Sequence, residues 1–360
     1  VVFKKARELG AGIIITSSHN PLEWNGLKFI IEGRGITEKE LEIVKNKSNS
    51  KKSKLGIESV GESDYVSEAV GVIGRLEQEK HVTIDIGGGA AKHIAPELLK
   101  NIGCQVTTIN DELDNCTRGP DPTSDKLTDL ISRTKEIGFA FDLDSDRMIL
   151  VMNGEKKSSD ITLGLGVVKA IKLGIRKFVL SLDSSVAIEK YIINHGGEVW
   201  RSKVGEGNVI QKMIENDAEA GGEGSSGGFI LKKFNMCRDG LLTSGLIASM
   251  IDDETIQKDI EFFENFSQIR EKISVESSFH DRLISEIVKT LNVKYEINQL
   301  DGIKIEINEN TWSLIRKSNT EDIIRISTES NDKQLLERIQ KEMIETVKSC
   351  YEQIKWERNY

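Results

Sequence analysis

Asp142-Leu143-Asp144-Ser145-Asp146-Arg147 sets three carboxylates two residues apart. Charges so placed converge only when a cation neutralises them, and an oxygen-only donor set suits Mg²⁺ or Ca²⁺. An EF-hand loop also opens D-x-D-x-D, but it needs Gly next and Glu at its last position. Arg147 and Asn153 stand at those places, so the EF-hand reading fails. A solvated acidic turn is the alternative. Around one Mg²⁺ three carboxylates leave the coordination unsaturated, so a further anionic ligand is expected.

Thr16-Ser17-Ser18-His19-Asn20-Pro21 interrupts an apolar run, Gly12 to Ile15. A hydroxyl at such a strand end is a usable nucleophile or phosphate acceptor; a helix N-cap or Asx turn accounts for the same residues. In "RKSNTED", 316 to 322, Arg316, Ser318, Asn319 and Thr320 gather a guanidinium with hydroxyl and amide donors. That inventory fits a phosphate dianion, and a plain polar hairpin is the other reading. "GGEGSSGG", 221 to 228, is either a flexible linker or a hydroxyl-binding loop built around Glu223. Together these parts suggest phosphoryl transfer on a phosphorylated polyol.

The surrounding pattern says what must position them. Residues 2 to 9 have helical character and feed the strand ending at Ile15. "HVTIDIGGGAAKHIAPELLKNIGCQVTTIN" reads as a strand over 82–86, a Gly-rich turn, a helix over 91–101 and a strand over 104–109, a βαβ unit. Asn153-Gly154 signals a hairpin after the acidic loop. "KFVLSLDSS", "VAIEKYIINHGG" and "EVWRSKVGEGN" repeat the alternation. The end of the chain differs: short strands meander over 303–307, 311–316 and 323–328, and a long helix follows from about 331, with Leu335, Leu336, Ile339, Met343, Val347, Cys350 and Ile354 on one face. "SNSKKS", 48 to 53, reads as a loop.

Length and composition agree with a multidomain globular protein: 360 residues, 38% hydrophobic and 30% charged. A net charge of −9 without a basic stripe argues against nucleic acid as a partner. No apolar stretch is long enough to span a bilayer, so no membrane association is expected. Cys104, Cys116, Cys237 and Cys350 are scattered, which favours free thiols in a reducing, cytoplasmic setting. No secretory leader is expected; the chain opens Val-Val-Phe without Met, and its true start is expected upstream.

Along nearly its whole length, and in the right order, the chain resembles the α-D-phosphohexomutase family, which comprises phosphomannomutase, phosphoglucomutase and phosphoglucosamine mutase enzymes, most closely the archaeal members. Thr16 to Pro21, continued by "EWNGLKF", is similar to the family's T-A-S-H-N-P phosphoserine loop. Asp142 to Arg147 resembles its D-x-D-x-D-R magnesium loop, Gly222 to Gly228 its sugar loop G-E-x-S-G-H, and Arg316 to Glu321 its phosphate loop R-x-S-x-T-E-P. The resemblance implies three similar α/β domains with mixed or parallel sheets and a C-terminal α+β domain around a central cleft. The expected divisions are 1–65, 66–157, 158–270 and 271–360. It implies a phosphohexomutase, an isomerase moving a phosphoryl group between C1 and C6 of a hexose phosphate through phosphoserine and a hexose 1,6-bisphosphate. Phosphoglucosamine, phosphomannose and phosphoglucose are the candidate substrates.

By the same resemblance Ser18 carries the phosphoryl group, and Asp142, Asp144 and Asp146 hold one Mg²⁺ together with a phosphoserine oxygen. Lys28 and Arg147 are cations beside the transferring group. Lys203 lines the cleft in a K-x-G motif, Glu223 and Ser226 read sugar hydroxyls, and Arg316, Ser318, Asn319 and Thr320 bind the phosphate that is not reacting. A monomer or homodimer is implied. The sequence departs from the pattern in three places. Asp322 stands where the family has Pro. The sugar loop is one residue longer and ends in Gly228 where the family has His, removing one acid/base group. Only 17 residues precede Ser18, fewer than in the family; the first domain is expected to be partial, its strand before Ser18 poorly covered on one side, and turnover by these 360 residues poor. A metal-dependent phosphatase with a serine acceptor and a non-catalytic sugar-phosphate binder are the rival readings.

Overall fold

The computed structural model describes residues 1–46, 64–318 and 321–358. The loop expected over 48–53 lies outside them. Near the start, strands Ala11–Thr16 (β1), Gly26–Ile31 (β2) and Arg34–Gly35 (β3) form an antiparallel sheet in the order β1-β2-β3, backed by the helix Val2–Leu9. Mixed or parallel sheets were expected; this one is antiparallel throughout. The connection to β2 is too short for a crossover helix, so an antiparallel pair is what it allows. Ile15 pairs with Leu27 and Ala11 with Ile31 on one sheet face, and Ile13, Ile15 and Leu27 are each more than half exposed.

The second sheet holds Lys80–Asp85 (β4), Cys104–Ile109 (β5), Ile137–Phe141 (β6), Met148–Met152 (β7) and Glu155–Lys156 (β8), in the order β5-β4-β6-β7-β8. β4 is parallel to β5 and β6, and β7 turns back antiparallel to β6. The Asn153-Gly154 hairpin is present, with φ of 57° and 74°, the backbone that this residue pair favours. In the third sheet Lys177–Ser181 (β9), Glu198–Ser202 (β10), Ala220–Glu223 (β11) and Gly228–Leu231 (β12) run in the order β10-β9-β11-β12. β9 is again parallel to both neighbours and β12 again folds back.

Two sheets thus share one topology, and within it one place recurs. The serine loop joins β1 to β2, the acidic loop β6 to β7, and the glycine-rich loop β11 to β12. Each is the turn of an antiparallel pair. β6 is buried at every residue, as a central strand covered on both faces should be. Helices Ser159–Lys172 and Gly240–Ala248 are buried nearly all round, and they join the second and third sheets in one apolar core.

The last sheet is wholly antiparallel: Ser267–Ser274 (β13), Ile297–Asn298 (β14), Ile303–Asn308 (β15), Thr311–Lys317 (β16) and Ile323–Ser330 (β17), ordered β13-β17-β16-β15-β14. The helix Lys333–Arg358 covers it, burying Leu336, Ile339, Met343, Val347, Cys350 and Ile354. All of these but Leu336 belong to a core separate from the one above. The protein is an α/β chain of three such units followed by an α+β unit. No helix among the described residues is long and apolar enough to cross a membrane.

Glu329 bridges the third and fourth units from full burial. Its Oε1 accepts from Ser185 Oγ at 2.8 Å and Val186 N at 3.0 Å, and its Oε2 from Gln268 Nε2 at 2.6 Å. Burial, and secondarily Asp160, push its carboxyl up to about 7. Between the unfolded pKa of about 4.3 and that value the native state holds a proton that the unfolded chain has lost. The group's favourable contribution is therefore complete below the unfolded pKa and is lost as pH rises through about 7. Glu329→Gln should remove this slope, Gln268 turning its unpartnered Oε1 to the new amide. Thermal melts from pH 4 to 8 should show a flatter profile for the variant and a Tm above wild type at the alkaline end.

Candidate active site

The serine loop is held by the last residue of β1. Ser18 N donates to Thr16 Oγ1 at 2.7 Å, and that hydroxyl donates to Asp144 Oδ2 at 3.3 Å. Ser18 is thereby kept at φ 54°, in the left-handed region that costs a non-glycine residue roughly 1 kcal/mol or more. Its Oγ donates to Asp142 Oδ2 at 3.4 Å. Ser17 makes the turn, its carbonyl accepting from Asn20 N and Nδ2 at 3.0 Å each. Of the two adjacent hydroxyls, the one facing the carboxylates is that of Ser18.

The acidic loop closes on itself and on a glycine. Arg147 N donates to Asp142 Oδ1 at 3.1 Å, and Gly240 N to Ser145 O at 3.1 Å. A Cβ on Gly240 would fall 2.8 Å from the carbonyls of Ser145 and Arg147, so only glycine lets the loop sit there. Asp142, Asp144 and Asp146 each offer an oxygen within 4.8 Å of the others. Lys28 reaches in from β2, its Nζ 2.5 Å from Asp144 Oδ2 and 2.7 Å from Asp146 Oδ2. Asp144 Oδ1 and Asp146 Oδ1 are buried and have no hydrogen-bond partner among the described residues. Hard oxygen donors left unpaired in this way fit Mg²⁺.

Charge balance points the same way. Asp121, Asp142, Asp144, Asp146, Glu206 and Glu223 share the three cations Lys28, Arg147 and Arg238, which leaves a negative excess. Burial, then Asp146 and Asp144, push the Asp142 carboxyl well above the usual range. Burial also opposes ionisation of Asp146, but Arg238, Lys28 and Arg147 outweigh it and hold that group below the usual range. Lys28 is the mirror case: burial disfavours its charge, and Asp146 and Asp144 overcome it, keeping the ammonium protonated.

His19 is placed by two neighbours. Burial and then Arg147 depress its pKa to about 4, so the ring is neutral near pH 7. Arg147 Nη2 lies 3.2 Å from Nε2 and can only donate, which puts the ring proton on Nδ1. Nδ1 lies 3.4 Å from Ser18 Oγ, so the imidazole orients the serine and offers it no lone pair.

Glu223 ends β11 and is buried, its Oε1 accepting from Gly205 N at 2.6 Å. Ser226 Oγ accepts from Gly228 N at 3.2 Å and donates to Glu223 O at 3.3 Å, shaping the loop. Lys203 is exposed on the turn after β10. The next residue, Val204, donates its N–H to Asp301 Oδ2 at 2.9 Å, and the same oxygen pairs with Arg316 Nε at 2.8 Å. Arg316 lines a cavity of about 230 Å³ with Asp301, Gly302 and Lys317. Ser318 N donates to Ile323 O at 3.0 Å. Asn319 and Thr320 lie outside the described residues. The motifs did not mark Arg238, Glu206, Asp121 or Asp301. A run of scattered charges gives no periodic signal, and only the fold brings these together.

Family models cover most of the chain: phosphoglucomutase/phosphomannomutase alpha/beta/alpha domain I over 2–54, domain II over 63–155, domain III over 160–266, and the C-terminal domain over 280–346. A probable phosphoglucosamine mutase of Methanobrevibacter smithii is 30% identical, across 94% of this chain and 79% of its own. Among solved structures, a phosphoglucomutase/phosphomannomutase family protein from Burkholderia thailandensis superposes with a TM-score of 0.79 at 22% identity, covering 94% of this chain and 76% of that one. An Aspergillus fumigatus N-acetylphosphoglucosamine mutase in complex with GlcNAc-6P and magnesium matches with a TM-score of 0.56 at 13% identity, covering 79% and 69%. The chain belongs to the phosphoglucomutase/phosphomannomutase family. It is a phosphohexomutase, an isomerase of the phosphomutase type.

Because Arg147 is the second cause of the low His19 pKa, Arg147→Met should raise it from about 4 toward the ordinary imidazole value, with burial keeping it below. An NMR titration of His19 in both proteins measures the shift.

Proposed function

We propose that this phosphohexomutase interconverts the 1- and 6-phosphates of a hexose, glucosamine phosphate in the first instance, through phosphorylated Ser18 and a hexose 1,6-bisphosphate. One observation carries the reading: the Ser18 hydroxyl rests on Asp142, within a carboxylate triad that keeps two oxygens unpartnered. The relative named as a probable phosphoglucosamine mutase supports the amino sugar. The A. fumigatus enzyme, with its sugar phosphate and magnesium, supports the ligand classes. Asp142, Asp144 and Asp146, with an oxygen of phosphorylated Ser18, would hold Mg²⁺, which when bound offsets negative charge during in-line transfer.

The residues themselves account for the rest. As the bond from phosphorus to Ser18 Oγ breaks, a free sugar hydroxyl forms the new O–P bond, and the proton it gives up is balanced by the one Ser18 Oγ takes on in becoming a hydroxyl again. The bisphosphate turns over in the cleft, and the phosphoryl group at its other end returns to Ser18. Lys28, held protonated by Asp146 and Asp144, and Arg147 offset charge on the moving group. Glu223 and Ser226 read hydroxyls, and Lys203 lines the cleft. Arg316, Ser318, Asn319 and Thr320 hold whichever phosphate is not reacting, so either end is positioned alike. A serine-acceptor phosphatase would instead release inorganic phosphate as its main product.

Ser18→Ala should abolish turnover with the fold intact, and intact-mass analysis should find a phosphoryl adduct on Ser18 in wild type and none in the variant. An active Ser18→Ala enzyme, with Ser17→Ala dead, would reverse the assignment. Asp144→Asn should weaken Mg²⁺ binding by about tenfold or more and lower activity in step. Calorimetric titration with Mg²⁺ measures this directly, and an unchanged affinity removes the triad from the metal site.

A further inference from the structure

Arg238 belongs to none of the four loops, yet its side chain ties two of them together. It sits in the turn between β12 and the helix Gly240–Ala248. Its Nη2 donates to Asp146 Oδ2 at 2.7 Å and its Nη1 to Glu223 Oε2 at 2.6 Å. Its Nε and its backbone N both donate to Glu206 Oε2, at 3.2 and 3.0 Å. To get there it crosses Gly228. A Cβ built on Gly228 would fall 2.8 Å from Arg238 Cγ and nearer still to Cδ. Those are atoms of the stem, and a guanidinium fixed on three carboxylates cannot swing the stem aside cheaply. A side chain at 228, such as the histidine of the loop this one resembles, and the arginine cannot share that space. The glycine at the loop's end and the arginine beyond it are therefore one feature.

We propose that Arg238 takes the place of the missing loop side chain and is a positioning residue that sets the selectivity of the sugar loop. This rests on the reading of Glu223 as the group that meets sugar hydroxyls. With Gly205 N on Oε1 and Arg238 on Oε2, the Glu223 carboxylate is fixed in orientation. A fixed carboxylate only accepts, so it favours ligands that bring donors, the hydroxyl and amino groups of a sugar ring, over ligands that bring a phosphate alone. Through Asp146 the same guanidinium keeps the metal loop in register with the sugar loop, leaving Asp146 Oδ1 open.

Calorimetry in magnesium-free buffer, where turnover does not intervene, tests this with two probes, glucosamine 6-phosphate and glycerol 3-phosphate. Wild type should prefer the sugar phosphate. Arg238→Met should weaken glucosamine 6-phosphate roughly tenfold and leave glycerol phosphate unchanged. Arg238→Lys should not restore the preference, because one ammonium cannot span three carboxylates. Gly228→Ala keeps every charge and should produce the same loss by displacing the arginine, so it carries the test even where Arg238→Met folds poorly. Adding Gly228→Ala to Arg238→Met should cost nothing further. A preference that survives Arg238→Met or Gly228→Ala, or strictly additive losses in the double variant, overturns the role given to Arg238. A wild type that does not prefer the sugar phosphate overturns the reading of Glu223, and this inference with it.

Discussion

Carboxylates gathered out of water repel one another and resist ionisation unless cations reach them. Here the cations come from three different units. Lys28 extends from β2 in the first sheet, Arg147 from the turn before β7 in the second, and Arg238 from beyond β12 in the third. Asp146 receives two of them, Lys28 and Arg238, and Asp142 the other. The same contacts that balance charge at the site therefore clamp the first three units to one another. Removing one partner leaves a buried charge unpaired, at a cost of about 3–5 kcal/mol in comparable cases. Site and architecture are not separable here.

The recurrence of one topological position explains how so many polar groups meet. A loop between antiparallel neighbours leaves a sheet at its end, where the backbone is free of ladder hydrogen bonds and can take up special geometry. The serine, acidic and glycine-rich loops all use that place, and Ser18 and Ser145 both adopt left-handed backbone there. The fourth unit approaches by a different route. Asp301 joins Arg316 to the backbone of Val204, whose neighbour Gly205 holds Glu223, so a polar line runs from Arg316 to the acidic triad.

Much of this could be read from sequence because the chemistry-bearing residues are local in the chain. D-x-D-x-D-R and T-S-S-H-N-P are contiguous, and the strands and helices that carry them show clean apolar periods. The βαβ unit over 80–109 and the final helix are found nearly where periodicity puts them. What escaped depends on contacts between residues remote in the chain. Arg238 lies in an unremarkable "CRDG", and nothing in its spacing points to Asp146 or Glu223. The resemblance already picks Ser18 over Ser17, but the contact of its hydroxyl with Asp142 has no trace in the sequence, nor has the tautomer of His19, which depends on Arg147. The antiparallel pairing of β1 was not specified, because an apolar run carries no record of its partner's direction.

The backbone of Ser18 has a consequence for how this loop varies. Its φ is one that glycine adopts freely and serine does not. A chain drifting toward stability alone would find glycine there an improvement, and at Ser145 as well, since both are strained in the same sense. A hydroxyl at a position whose geometry favours glycine is, on the role proposed for Ser18, a trade of folding free energy for reactivity. If Ser18 is the acceptor proposed above, a version of this molecule selected only for resistance to heat could lose that hydroxyl to glycine and remain folded after it had ceased to be an enzyme.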